Sequence, residues 1–385
     1  MENIVNTIQR NRKLGAFKGK KGNPTVIAIG GIHGNENAGY IALTNVIDRL
    51  KTENIEFLGN FYALAGNLKA ISQNVRFNTI DLNRIWNEEN LIKYKEDNSI
   101  KDEYLELIEL YNCIKDIVNK EKGPFIFIDL HTTSSKTQPF ITISDALNNR
   151  KFSSNFPLPV ILGIEEFLDG PLLSFINKYG HTAIGFEGGQ HSDKKSIMNC
   201  ESFMYLALVA SKCIKKKQLH DFKVHEELFL SYQNKKIFYE IKYKYDLKGE
   251  DNFIMLKGFS NFDEVYTNQL LAYSNGKTIK SPFAGSIFLP LYQNKGEEGF
   301  FIIRRVSSYW LFISKYLRKL IIHALLRLLP GVKKHKVKPN TLVINPKVAS
   351  FFTTDFFHLF GYRKKTLKNN EWNFTKRDRK IRKLP

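Results

Sequence analysis

Cysteine is scarce: Cys113, Cys200 and Cys213 are the only three in 385 residues. An odd number at these spacings supports neither a disulfide framework nor a zinc ribbon, so a reducing, cytoplasmic compartment is expected. MENIVNTIQRNRKLGAFKGKKG at residues 1–22 has neither the apolar stretch nor the small-residue cleavage site of a secretory leader, so export is not expected. The most apolar segment, SSYWLFISKYLRKLIIHALLRLLP, is interrupted by Lys315, Arg318, Lys319 and Arg327. It falls short of the roughly 18 uncharged apolar residues that a membrane-spanning helix needs. Acidic residues are rare near the C-terminus: residues 301–385 hold 21 of the 58 Lys/Arg but only 3 of the 38 Asp/Glu. The formal charge of +20 therefore sits almost wholly there, and the rest of the chain is nearly neutral.

What is present is a globular composition, 43% hydrophobic and 13% aromatic, in a chain long enough for more than one domain. PTVIAI, from residue 24, reads as a buried strand; it runs through a glycine-rich turn into AGYIALTNVIDRLK, whose apolar residues recur three and four apart as in a helix. EFLGNFYALAGN, GPFIFIDLH, FPLPVILG and TAIGFEGG supply further strands, with helical patterns between them and SFMYLALVASKCIKKK after the last. This alternation predicts an α/β fold with a mostly parallel or mixed sheet flanked by helices over residues 1–217. Short β-rich runs separated by Gly and Asn turns then predict a small β domain over residues 218–305. Residues 306–385 read as a basic amphipathic helix and an Asn/Lys/Arg-rich tail.

The stretch GGIHGNENAG at residues 30–39 fits neither G-x-x-x-x-G-K-[ST] nor G-x-G-x-x-G, so its glycines do not make a phosphate loop. Taken alone it is a strand-to-helix turn carrying His33 and Glu36. His131 ends the run FIFIDL, however, and Glu187 ends AIGF. In an open parallel sheet, ligands bind at the carboxyl ends of the strands, so these four residues converge if their strands are parallel. Two imidazoles and one carboxylate make a three-ligand zinc set with an open fourth position, and the remaining carboxylate would act as base toward the attacking water. NVRFNTIDLNR at residues 74–84 adds Arg76, Asn83 and Arg84, a set suited to a substrate carboxylate.

GGIHGNE, DLNR, DLHTT and GFEGGQ, in that order and with a long gap before the second histidine, resemble the succinylglutamate desuccinylase/aspartoacylase family of zinc enzymes, which share the zinc carboxypeptidase fold. The resemblance covers about residues 20–305. It implies one Zn2+ per subunit held by His33, Glu36 and His131, with Glu187 as the general base that passes a proton to the leaving amine. It further implies that Arg76 polarises the scissile carbonyl, and that Asn83 and Arg84 hold the substrate α-carboxylate. Asp129, two residues before His131, is implied as a partner behind the ligands. Asn177 stands where aspartoacylases carry a further arginine, which speaks against N-acetylaspartate. Tyr292 is the nearest counterpart of the tyrosine with which the family closes its site. The segment GKTIKSPFAGSIFLPLYQNKGEEGF resembles a lipoyl-like barrel sandwich without its modified lysine, implying a scaffold that narrows the mouth of the crevice.

The expected activity is a zinc-dependent amidohydrolase that deacylates an N-acyl amino acid or similar small carboxylate. A zinc carboxypeptidase acting on short peptides is the alternative, and a non-catalytic membrane- or RNA-associated protein is the second. For the basic helix, packing on the protein's own core or a subunit interface is the preferred reading; the alternative is peripheral contact with an anionic membrane, with nonspecific nucleic-acid contact through the tail.

Overall fold

The computed structural model describes residues 11–94, 101–232, 236–248, 252–293, 296–319, 326–338, 340–345, 347, 354–368 and 371–385. Strand β2 (Thr25–Gly30), the run TVIAIG, is buried along its whole length. A strand covered on both faces needs apolar residues at every position, which is why it reads as a continuous run rather than an alternation. It pairs in parallel with β3 (Asn60–Ala65) and β4 (Phe125–Thr133), and β4 pairs in parallel with β7 (Thr182–Gln190). β1 (Lys13–Phe17) adds an antiparallel edge to β3.

Beyond β7 the direction reverses. β5 (Phe140–Ile143) runs antiparallel to β7, while β6 (Val160–Leu162) and β8 (Phe238–Asp246) follow β5 in parallel. The antiparallel strands β14 (Glu298–Arg305), β13 (Gly285–Phe288) and β10 (Glu264–Val265) complete an eleven-stranded mixed sheet, ordered β1-β3-β2-β4-β7-β5-β6-β8-β14-β13-β10.

Helices cover both faces of the parallel centre. On one side, α1 (Asn37–Thr52) and α2 (Lys194–Ala210) pack Leu43, Ile47, Phe203 and Leu206 against Val26 and Ala28. On the other, α3 (Asp102–Lys120) and α4 (Leu172–Lys178) pack Leu107, Ile114 and Phe175 against Ile27, Ile29 and Phe127. Successive residues of β2 thus serve opposite cores, as a pleated strand requires.

Of residues 218–305, expected to form a small β domain of their own, Phe222–Leu230 are helical and β8, β14, β13 and β10 extend the large sheet. β9 (Phe253–Met255), β11 (Leu270–Ser274) and β12 (Lys277–Lys280) make a separate three-stranded sheet, ordered β12-β11-β9. Its Met255, Leu271 and Ala272 share a core with Ile287, Phe300 and Ile302 of the large sheet.

The expected C-terminal tail is instead folded. After α5 (Ser308–Lys319), strands β15 (Val332–Lys334), β16 (Thr341–Ile344), β17 (Tyr362–Lys368) and β18 (Glu371–Lys376) form an antiparallel sheet, ordered β15-β16-β18-β17. With α6 (Thr354–Leu359) they enclose Leu342, Ile344, Phe357, Phe360, Tyr362 and Phe374. The Lys/Arg excess hides the apolar positions that make this core. Residues 320–325 of the expected amphipathic run lie outside the described residues.

Arg318 and Arg363 of this module meet Arg150 of the main body at one buried carboxylate next to the large sheet. Arg150 Nε, Arg318 Nη2 (2.8 Å) and Arg363 Nε (2.9 Å) all donate to the carboxylate of fully buried Asp145, and Arg363 also pairs with Glu166 at 3.1 Å. The side chain of Arg318 is fully enclosed, although Lys315 and Lys319, with which helical spacing groups it, are exposed. The chain ends on the far face of the sheet, where Arg382 N bonds Tyr179 O at 2.9 Å and Leu384 is buried among the α3 and α4 residues. Among the described residues, no helix is long and apolar enough to cross a membrane.

Candidate metal centre

Gly31, at the end of β2, has φ +80°, a left-handed conformation that a side chain would strain. A Cβ at Gly34 would lie 2.0 Å from the Ala70 carbonyl carbon. These two glycines let the chain turn sharply and pass close to its neighbour, so that His33 and Glu36 point back over the sheet edge. β4 ends beside β2 and delivers His131, and β7 places Glu187 in register with His131.

His33, Glu36 and His131 are all buried, with ligand atoms within 4.8 Å of one another. His33 Nδ1 lies 2.8 Å from Glu36 Oε1, and His131 Nδ1 lies 2.9 Å from Glu36 Oε2. Behind each ring stands a second carboxylate: His33 Nε2 is 3.0 Å from Asp81 Oδ1, and His131 Nε2 is 2.7 Å from Asp129 Oδ2. A neutral imidazole carries one N–H, and with that proton on Nε2 facing the outer aspartate, Nδ1 presents a lone pair. Two such lone pairs and a carboxylate then face one point, an arrangement of acceptors only, which a cation stabilises. Carboxylates behind the ligand histidines also fix their tautomer and orientation in metal sites. The donor set therefore fits a divalent metal of borderline softness, zinc being the one best matched by two imidazoles and a carboxylate.

The electrostatics without an ion tell the same story. Burial would raise the Glu36 carboxyl, but His33 and His131 hold it well below the usual range. Burial would lower the His131 imidazole, yet Asp129 and Glu36 keep it well above its ordinary value. Glu187 goes the other way: burial, outweighing the attraction of His131, pushes it up to about 8. Its Oε2 is shielded from solvent and has no hydrogen-bond partner.

The other sequence-predicted residues line the same cavity. Arg76 donates to Asp81 Oδ2 at 3.0 Å and to Glu36 Oε1 at 3.4 Å. Asn83 Oδ1 accepts the Leu172 amide at 2.9 Å, tying the DLNR turn to the start of α4. Arg84 Nη2 lies 3.4 Å from Glu298 Oε1, which reaches in from β14. Asn177 and Lys178 are absent from the cavity wall: Asn177 bonds Asn149 and Leu173 O, and Lys178 pairs with Glu88. Leu173 and Ser174 line the wall in their place, so α4 brings no cation to it.

Tyr292 is also elsewhere, donating to Leu256 O at 2.7 Å and accepting from Phe259 N at 3.1 Å. The aromatic residue that the β-rich part contributes to the cavity is Phe301, accompanied by Leu289, Leu291, Gln293 and Glu298. Phe301 lies on β14 three residues after Glu298, and the register irregularity between Glu298 and Phe300 lets both face the cavity, whereas Tyr292 lies in the preceding loop.

Three contributors had no role assigned from sequence. Asp81 opens the DLNR motif and could have been read from it. His191 follows GFEGGQ directly; its Nδ1 lies 2.7 Å from Thr132 Oγ1. Glu298 carries no local signal. A second group of ligand types, Glu240, Asp355 and His358, lies near the module junction. There Lys242 Nζ already bridges Glu240 (2.7 Å) and Asp355 (2.8 Å), so that group needs no ion.

Comparison with known proteins fits this geometry. A succinylglutamate desuccinylase/aspartoacylase from Rhodobacter sphaeroides is 15% identical with a TM-score of 0.57, the match covering 76% of this chain and 88% of that one. A product-bound ectoine utilization protein from Ruegeria pomeroyi is 15% identical, with a TM-score of 0.56 and the same coverage, 76% and 88%. A succinylglutamate desuccinylase from Vibrio cholerae is 16% identical, with a TM-score of 0.53 and coverage of 75% and 83%. At these identities the likeness is one of fold. No curated protein matches the sequence significantly. Residues 22–166 match the family model described as the succinylglutamate desuccinylase/aspartoacylase catalytic domain. Residues 22–166 thus resemble that catalytic domain in sequence, and the large mixed sheet is similar to that of solved succinylglutamate desuccinylase/aspartoacylase structures.

Proposed function

We propose that this protein is a zinc-dependent amidohydrolase that removes the acyl group from an N-acyl amino acid or a similar small carboxylate. The observation that carries the reading is the convergence of the His33 and His131 Nδ1 atoms with the two oxygens of Glu36, each ring backed by its own aspartate. One zinc ion per subunit, held by His33, Glu36 and His131, would supply the Lewis acidity that makes a nucleophilic water available near neutral pH.

The chain's own residues do the rest. Glu187 takes a proton from the attacking water and delivers it to the leaving nitrogen as the amide C–N bond breaks. Arg76, locked by Asp81 and Glu36, presents a fixed positive charge to the oxygen on which negative charge develops. Arg84 and the free amide end of Asn83 bind the substrate carboxylate, with Glu298 holding the guanidinium until the substrate arrives. Ile143, Ile164, Leu168, Leu173, Leu289 and Phe301 form an apolar wall for the acyl group or side chain. Without a cation on that wall, a second substrate carboxylate is disfavoured, and a monocarboxylate with an uncharged remainder fits best.

The test is metal analysis of the purified protein together with hydrolysis of a panel of N-acyl amino acids and short peptides. The expected result is a single equivalent of zinc and release of the acyl group, with N-acetylaspartate among the poorer substrates. Release of C-terminal residues from peptides would replace this reading with a carboxypeptidase, and indifference of the protein's function to His33→Ala would replace it with a binding role. Asp129→Asn and Asp81→Asn are each expected to weaken metal affinity about 10–100-fold, measured by competition with a chromogenic chelator, because the outer hydrogen bond then no longer fixes the tautomer.

A further inference from the structure

Helix α5 carries apolar side chains on the face it turns to solvent. Leu311 and Leu317, partly buried, pack against neighbouring cores, but its two buried residues are polar: Ser314 donates to Leu359 O at 2.8 Å, and Arg318 reaches Asp145. Those it turns outward are aromatic, with Tyr309 63%, Phe312 60% and Tyr316 50% exposed. Tyr309, Phe312 and Tyr316 recur at helical spacing, and Lys315 and Lys319, also exposed, run along one flank of the same stripe. Trp310, 50% exposed, stands one turn before Ser314 and lines the cavity at the module junction instead. Contiguous exposed apolar surface of this kind marks an interaction site.

We propose that this face of α5 docks on an anionic lipid bilayer. Tyrosine, apolar in body and polar at the tip, suits the headgroup level, and flanking lysines keep their ammonium groups at the phosphates while their stems cover apolar surface. Charge complementarity selects this occupant. Residues 301–385 carry 21 basic and 3 acidic residues. Two of the acidic ones are already engaged, Asp355 by Lys242 and Asp378 by the Leu147 amide. A second copy meeting the same stripe would bring Lys315 and Lys319 against like charges. A single-stranded nucleic acid would also use aromatics beside cations, but it tracks its backbone along a basic groove, whereas here two lysines follow one flank of a single exposed helix face.

The experiment is co-sedimentation of the full chain with phosphatidylcholine vesicles, with and without about 30% phosphatidylserine. Binding that requires phosphatidylserine and weakens with salt is expected. Lys315→Gln/Lys319→Gln should lower the partition coefficient roughly 30-fold, and Phe312→Ser/Tyr316→Ser about 10-fold or more. These exposed positions are outside the fold's cores, so both variants should retain the wild-type circular dichroism. Three results would overturn the proposal. One is wild-type protein that ignores the vesicles, or variants that bind as well as wild type. Another is a dimer by light scattering that the aromatic variant dissociates, with no lipid binding, which would assign the face to a second copy. The third is binding to a single-stranded RNA oligonucleotide but not to vesicles.

Discussion

Glu187→Gln is expected to lower kcat for N-acyl amino acids by about 10²–10⁴-fold while metal content stays unchanged. The substitution keeps volume and burial but removes the one carboxylate of the cavity that is neither a proposed ligand nor engaged with an arginine or histidine. Its separation from the ligand set makes the result diagnostic, because Glu36→Gln is expected to lose metal and activity together. Burial raises the Glu187 carboxyl to about 8 in the ion-free site, and a bound cation acts in the opposite sense. A base must be ionised, so wild-type turnover falls on the acid side as Glu187 takes up a proton, and that acid limb should be missing from the residual rate of the variant. Normal turnover by Glu187→Gln would eliminate the proposed base.

Asp145→Ala should destabilise the protein by about 3–5 kcal/mol, measured by urea unfolding, the largest effect expected outside the metal centre. Asp145 is fully buried, and its removal leaves Arg318, Arg363 and Arg150 facing one another without their shared counter-ion. The effect carries a pH signature. Burial acts to raise the Asp145 carboxyl, but the three arginines hold it well below the usual range. A depressed carboxylate stabilises the fold above its unfolded value near 3.9 and loses that contribution as pH falls through the folded value. Glu240, brought down to about 2, and Glu166, also lowered, add in the same direction. Glu165, raised by burial, opposes them. Wild-type stability should therefore fall below about pH 4, and Asp145→Asn should show both lower stability at neutral pH and a shallower acid decline. An unchanged acid decline in Asp145→Asn would show that the cluster does not hold the module.

The site was legible in the sequence because its residues stand at ends of strands. TVIAI, FIFIDL and AIGF are almost continuously apolar, which is the pattern of central parallel strands, and parallel strands put their carboxyl ends on one edge. His33, Glu36, His131 and Glu187 meet there for that reason. Residues whose position depends on a partner far along the chain were not legible. Glu298 reaches Arg84 across 214 residues, and Arg318 reaches Asp145 across 173. Helical periodicity places Arg318 with Lys315 and Lys319 as a basic residue, but it does not say which charge finds a buried counter-ion. For Tyr292 the error was one of proximity in sequence: the loop carries it toward Leu256, and the strand that follows turns Phe301 into the cavity instead.

By itself the sequence determined the α/β order, a resemblance to one family through its four short motifs, and the donor types at the candidate metal centre. These follow from local pattern and residue chemistry, which need no knowledge of distant partners. Only the tertiary structure decided that Asp81 backs His33, what lines the cavity wall and how the basic C-terminal residues are used. Each of those depends on long-range contacts in which burial makes pairing obligatory. The fold thus encloses Arg318 around Asp145 and leaves Lys315, Lys319 and their aromatic neighbours facing outward.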